Sequence, residues 1–325
     1  MTIGFRHEAL FYDSPTGFAD TLAPFVTDGL ATGEPVLVAV RPNNAACLRA
    51  SLGRAADEVT FIDMPVAGRN PGRIISLWHD FVDIHPDAGA VRGIGEPIWR
   101  ERTAAELQEC QHHEELLNAA FAKANFWLVC PYDSDRLNGD ILNAALGSHP
   151  YAGIRLPPDD GKPAHEHPVR SGVLSAELPW PVGGLVYATE SGGLSPIMIE
   201  RAVGRAEWLS DDRRMELLDA LDRLISTTRG SVRFGVWLDD DQLICELHDE
   251  SVLTDGLAGR RRPTDRDGRE AALWYAHQVG DLVQIRSSHR GGMTTRSSRS
   301  RSSSRCARFD ASRPIRSWTS TSWPR

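Results

Sequence analysis

Over its first 150 residues the chain alternates short apolar runs with helical periodicities. FRHEALFYD (5–13) reads as a strand, followed by an amphipathic helix near 16–31. PVLVAV (35–40) is a buried strand, and Arg41-Pro42-Asn43 opens a helix over 42–54. Val59 to Ile62 gives a third strand, followed by a helix near 71–84. VRGIGE (91–96) and FWLVCPYD (126–133) are strands flanking a long helix at 102–124, and a last helix covers 135–147. Strands alternating with helices predict an α/β domain, a mainly parallel sheet covered by helices on both faces. Ligands of such sheets enter beyond the carboxyl ends of the strands.

The pattern changes after residue 150. Residues 151–195 carry prolines at 157, 158, 163, 168, 179 and 181 with little periodicity, which predicts a linker between domains. Residues 196–295 predict a second domain. Helices at 196–208 and 211–228 precede strands at 232–238 and 242–248, joined by Asp239-Asp240-Asp241, and then a helix at 269–280 and a strand at 281–286. Helices grouped over an antiparallel sheet make an α+β two-layer domain. Residues 296–325, rich in Arg and Ser, predict a disordered tail that reads as the out-of-frame end of a GC-rich gene.

Composition narrows the function classes. Arginine supplies 34 of the 36 basic residues, the formal net charge is −8, and the tail holds eight arginines against one aspartate. The body of the chain is therefore strongly acidic, which argues against nucleic acid as the direct partner. No apolar run is long enough for a membrane span and no leader opens the chain, so a cytoplasmic location is expected. The five cysteines are scattered without a CxxC pair and read as reduced thiols rather than a zinc site.

The segments HEALFY (7–12), GEPVLVAV (33–40), VRGIGEPIW (91–99), ECQHHEELLN (109–118) and CPYD (130–133) resemble a MEDS domain. That is a RecA/KaiC-like sensory module of bacterial signalling proteins. The second domain resembles the GHKL ATPase-like domain of anti-sigma regulatory kinases through LDRLISTTRG (221–230), ELHDE (246–250), DGLAGRRRP (255–263) and ALWYAHQVGDLVQIRS (272–287). The resemblance implies a sensor of small organic molecules coupled to a sigma factor or an anti-anti-sigma protein, with a homodimer compatible. It also implies a nucleotide site that this chain has lost. The family has Glu at Leu221, Asn at Ile225 and His at Arg229, whereas an aliphatic side chain cannot ligate magnesium. Glu250-Ser251 stands where a glycine follows the adenine-contacting aspartate, and Glu270-Ala271-Ala272 replaces a glycine pair. Asp249 and Gly268 are the nucleotide-site residues retained. The family's final strand, begun by Gly291-Gly292, is expected to be missing. ATP and magnesium are therefore disfavoured as cofactors, catalysis is not expected, and a pseudo-kinase is the leading reading. The competing reading is an active protein serine/threonine or histidine kinase. Arg260-Arg261-Arg262 is a candidate grip for an acidic partner.

In the first domain, Tyr12 to Phe18 lacks the lysine of a phosphate-cradling loop, so nucleotide hydrolysis is not expected there. His7, Glu96, Trp99, Glu109, His113 and Glu114 are the candidate ligand-binding residues. Glu109 and His113 share a helix face, and Asn118 lies four residues beyond Glu114. The plainer alternative makes Glu109 and His113 a surface pair and His7 a strand cap. No metal is expected, because no HxH or HExxH spacing supports one and adjacent His112 and His113 diverge around the helix. Cys130 reads as a buried core thiol.

Overall fold

The computed structural model describes residues 4–153, 178–181, 183–190, 194–251, 253, 255–289 and 303–312. The chain divides into two compact units, residues 1–171 and 172–325.

The first unit runs β1 (Phe5–Tyr12), α1 (Pro15–Ala31), β2 (Val36–Val40), α2 (Pro42–Leu52), β3 (Thr60–Asp63), α3 (Met64–Ala67), α4 (Ile74–Asp83), β4 (Val91–Gly95), α5 (Ala104–Ala120), β5 (Phe126–Asp133), α6 (Gly139–Ser148) and β6 (Tyr151–Ala152). Its six strands form one parallel sheet in the order β3-β2-β4-β5-β1-β6. The expected α/β architecture is present. All eight positions of β5 are buried, as an interior strand covered on both faces requires. Pro131 is tolerated because the β4 ladder stops at Ile94–Val129, leaving only β1 as a neighbour.

The period-two alternation of the strands sorts the two faces. Leu10, Tyr12, Val36, Val38, Ile94, Trp127 and Val129 join Phe18, Leu22 and Phe25 of α1 in one apolar core. The opposite face receives Trp78 of α4 at Gly93 and Gly95 of β4. A Cβ on Gly93 would lie 2.9 Å from the Trp78 ring, and one on Gly95 2.8 Å from it. Two side-chain-free positions on one face thus make the shelf on which an indole lies. Helix α5 is fixed at its start by a capping box between Thr103 and Glu106. Arg102 anchors the preceding loop by donating to Pro97 O (2.7 Å) and Gly68 O (2.6 Å), with its guanidinium over the Trp99 ring.

The second unit contains β7 (Gly184–Glu190), α7 (Pro196–Val203), α8 (Asp211–Ser226), β8 (Arg233–Leu238), β9 (Gln242–Asp249), α9 (Arg269–Val279), β10 (Leu282–His289) and β11 (Ser303–Ser312). Its antiparallel sheet has the order β10-β11-β9-β8-β7. Apolar residues of the three helices, among them Ile199, Leu217, Leu221, Leu224 and Leu273, pack on Phe234, Val236, Leu243, Cys245, Val283 and Ile285 of the strands. This is a two-layer α+β arrangement.

Two boundary expectations are corrected. The stretch 151–195 contributes a strand at each end, β6 pairing with β1 and β7 with β8, while 154–177 lies outside the described residues. Backbone pairing needs no apolar periodicity, so proline and glycine content hid both strands. The tail also holds β11, seated between β10 and β9. A final strand is therefore present where one was expected to be missing. Ala307, Phe309 and Ala311 alternate with Cys306, Arg308 and Asp310, a strand period that bulk Arg/Ser composition obscured. The lead-in Gly291–Arg296 and the end of the chain, 313–325, fall outside the described residues.

Candidate functional site

Parallel pairing of β1 with β5 brings two sequence-distant segments, HEALFY and CPYD, side by side. On the face covered by α5, His7 of β1 and Cys130 of β5 meet Glu114 of α5 and His149, the residue that ends α6. All four are buried, and one ligand atom from each lies within 4.8 Å of the others. His7 Nε2 is 3.0 Å from Glu114 Oε2 and 3.4 Å from Cys130 Sγ. His149 Nε2 is 3.3 Å from the same Glu114 oxygen, and the two imidazole centroids are 3.9 Å apart. Tyr132 stands edge-on to His149 at 5.7 Å.

Burial and the neighbouring His149 push the His7 imidazole down to about 4, against the pull of Glu114 and Asn118. Burial alone would raise the Glu114 carboxyl, but the His149 and His7 rings hold it well below the usual carboxylate range. The Cys130 thiol is pushed up by burial and by Glu114, and Tyr132 by the same two causes. The cluster therefore sets one buried carboxylate among nitrogen and sulfur donors. Chemically it can hold a cation or a proton.

A second network lies at the carboxyl edge of the sheet, one residue beyond or at the ends of four strands. Glu96 after β4 accepts from Tyr12 Oη (2.7 Å), Asn44 Nδ2 (2.9 Å), Arg41 Nε (2.9 Å) and the Arg41 amide (2.9 Å). Arg41 reaches on to Asp133 at 3.6 Å, and its side chain is partly exposed where Glu96 and Asp133 are buried.

The candidate residues thus divide. His7 and Glu114 meet directly, whereas Glu96 sits among Tyr12, Arg41 and Asn44, and Trp99 stacks with Arg102. Glu109 and His113 are both buried on α5, which corrects the surface-pair alternative, and His7 lies inside β1 rather than capping it. His149, Tyr12, Arg41 and Asn44 were not singled out from the sequence. Arg41-Pro42-Asn43, read only as a helix start at a strand end, was the available signal for Arg41 and Asn44. Nothing in spacing could have joined His149 to His7.

In the second unit, Leu221 is buried in the core and Ile225 packs against it. Asp249 accepts from the amides of Arg229 (3.3 Å) and Ser251 (3.3 Å) and from the Ser251 hydroxyl (2.5 Å). Gly268 takes φ +94° at the start of α9, a conformation that favours glycine. Arg260 is buried and Arg261 and Arg262 are exposed, with the Arg262 guanidinium 5.9 Å from the Trp274 ring centroid.

Residues 6–150 match the family model described as MEDS, the MEthanogen/methylotroph, DcmR Sensory domain. The N-terminal part of the chain therefore carries a MEDS sensory domain, which gives it a sensing role in signalling. No curated protein matches the chain. Among the described residues, no helix is long and apolar enough to cross a membrane.

Proposed function

We propose that the chain is a signal-transduction regulator in transcription control. Its MEDS domain would take up a small organic ligand, and its second unit would pass the outcome to a sigma factor or an anti-anti-sigma protein by surface recognition. The observation that carries this reading is the match of residues 6–150 to a sensory family. The carboxyl edge of the sheet, with Arg41 partly exposed beside Glu96 and Asp133, is the place where ligands of parallel α/β sheets enter. Only Asp13 and Ser14 separate β1 from α1, and the Ser14 hydroxyl accepts the Gly17 amide. That joint is too short for a phosphate-cradling loop.

For the second unit, Leu221 and Ile225 packed into or against the core favour a pseudo-kinase, since neither offers oxygen to magnesium. The competing reading, an ATP-dependent protein kinase, rests on the retained Asp249. Its carboxylate is engaged by Ser251, which leaves it less free to accept an adenine amino group. Calorimetry of the full chain with ATP, with and without magnesium, separates the two: no heat of binding is expected, and tight magnesium-dependent binding would replace the pseudo-kinase by a catalyst. For the sensing half, methanol and methylamine are the first probes, chosen because the matching family is described from methanogens and methylotrophs. Capture of sigma factors or anti-anti-sigma proteins should change with such a probe, and capture of neither under any condition counts against the coupling.

A further inference from the structure

We propose that His7, Glu114, Cys130 and His149 form a four-coordinate site for one divalent first-row transition ion, zinc foremost. The inference concerns the chain's own buried donors and stands apart from which organic molecule is sensed.

The hydrogen bonds around the cluster fix which nitrogens are free. Asn118 donates its Nδ2 to Ser148 O at 2.8 Å, so its Oδ1 is the atom that faces His7 Nδ1 at 3.2 Å. An amide oxygen only accepts, so His7 Nδ1 must carry hydrogen. His149 Nδ1 lies 2.8 Å from Ala145 O, another pure acceptor, so it too is the protonated nitrogen. In the neutral rings both Nε2 atoms are then lone pairs: His7 Nε2 meets Glu114 Oε2 at 3.0 Å, and His149 Nε2, 3.3 Å from the same oxygen, has no hydrogen-bond partner among the described residues. Cys130 Sγ is 3.4 Å from the first of them. Lone pairs aimed at a carboxylate repel unless something positive lies between them. Relieving both contacts with protons would charge at least one of two imidazole rings whose centroids are 3.9 Å apart in a buried site. One metal ion does the same with each ring neutral. The pattern, with Nε2 inward and Nδ1–H given to an amide or backbone carbonyl, is the outer-shell arrangement that orients metal-bound histidines.

Distances agree with this assignment. Zinc bonds of about 2.0–2.3 Å to N, O and S set tetrahedral ligand–ligand edges of about 3.3–3.6 Å. Three of the pairs measure 3.0, 3.3 and 3.4 Å, and all lie within 4.8 Å, a gap that side-chain torsions can close. Glu114 Oε1 is buried without a hydrogen-bond partner among the described residues, an orphan that a cation or its water would satisfy. Charge also balances: one carboxylate and one thiolate neutralise a divalent ion, the thiol proton leaving to solvent on binding. A mixed imidazole, carboxylate and thiolate set suits a borderline ion such as zinc rather than calcium or magnesium, which want oxygen alone. The ligands come from β1, α5, β5 and the end of α6, so no local motif announces them.

The test uses the full chain without a histidine tag. Metal analysis after zinc saturation and dialysis should give about one ion per chain. Replacement by cobalt should give an intense tetrahedral visible spectrum with a thiolate-to-cobalt charge-transfer band. Cys130→Ser should abolish that band, His149→Gln should weaken zinc binding at least about tenfold, and Cys47→Ser, at the half-buried thiol, should leave the band unchanged. Circular dichroism of each variant reports folding, and if the variants fail to fold, the wild-type stoichiometry and cobalt spectrum decide alone. A wild-type chain that dialyses free of zinc, a cobalt adduct without a charge-transfer band, or a band that follows Cys47 would overturn the assignment. None of these readouts needs an organic ligand or a partner, so failure of sensing and failure of metal binding remain distinguishable.

Discussion

Replacing Glu96 by alanine tests the carboxyl-edge network most directly. The Glu96 carboxylate is fully buried and accepts Tyr12 Oη, Asn44 Nδ2, Arg41 Nε and the Arg41 amide at 2.7–2.9 Å. Alanine removes all four acceptor contacts and leaves the guanidinium with only the Asp133 carboxylate, at 3.6 Å, beside a phenol and an amide. Deleting one partner of a buried ion pair costs about 3–5 kcal/mol. The Arg41 side chain keeps 19% of its exposure, so water relieves part of that cost and the lower end, about 3 kcal/mol, is expected. Glu96→Gln keeps the volume and one acceptor oxygen, and should lose about 2 kcal/mol, the range of a hydrogen bond to a charged group. Hydrogen exchange followed by mass spectrometry over β1, β4 and β5 reads the unit locally. Where exchange follows unfolding of this unit, a loss of 3 kcal/mol corresponds to amides opening about a hundredfold more often. Changes under about threefold for alanine, or equal losses for alanine and glutamine, would refute the view that this carboxylate holds the strand ends together through its charge.

Three further outcomes follow from the same structure. Gly95→Ala would drive a Cβ to 2.8 Å from the Trp78 ring and should cost about 1–3 kcal/mol; a lowered urea midpoint, partly restored by adding Trp78→Phe, checks it. Burial raises the Glu8 carboxyl above the ordinary carboxylate value despite the Arg6 pair. Because the folded form then holds its proton more tightly than the unfolded chain, this contribution to stability is present below the ordinary value and lost as pH rises through the raised one. Glu8→Gln should therefore flatten a fall in stability with rising pH, read from denaturant midpoints across that window; a steeper fall would contradict it. Finally, the buried Cys110 thiol is pushed up to about 12 and Cys130 is raised by burial, whereas Cys47 is only half-buried. Iodoacetamide near pH 8 should label Cys47 first and reach Cys110 and Cys130 only in denaturant, as peptide mapping would show.

Much of the first unit was legible in the sequence because its strands are interior. Continuous apolar runs such as VLVAV and FWLVC can belong only to buried elements, and their alternation with helical periods sets the parallel sheet. What stayed hidden depends on three-dimensional closure. His7 and Glu114 were visible as polar residues in apolar surroundings, but their union with Cys130 and His149 rests on strand pairing and on where α6 ends. Glu96 was visible for the same reason, yet its partners Tyr12, Arg41 and Asn44 come from other strand ends and a helix start. Strands β6, β7 and β11 were missed because main-chain ladders are indifferent to composition, and Pro-, Gly- or Arg/Ser-rich stretches can still supply amides and carbonyls.

The position of β11 has a consequence for how the second unit is made. Every other strand of that sheet is synthesised before it, yet β9 and β10 are joined only through it. Until residue 312 has left the ribosome, two neighbouring strands face each other across an open slot, with unpaired amides and carbonyls available to any extended chain nearby. Shortening the gene by a few dozen codons would thus leave an adhesive sheet instead of a smaller domain, and inclusion bodies rather than loss of signalling would be its first symptom.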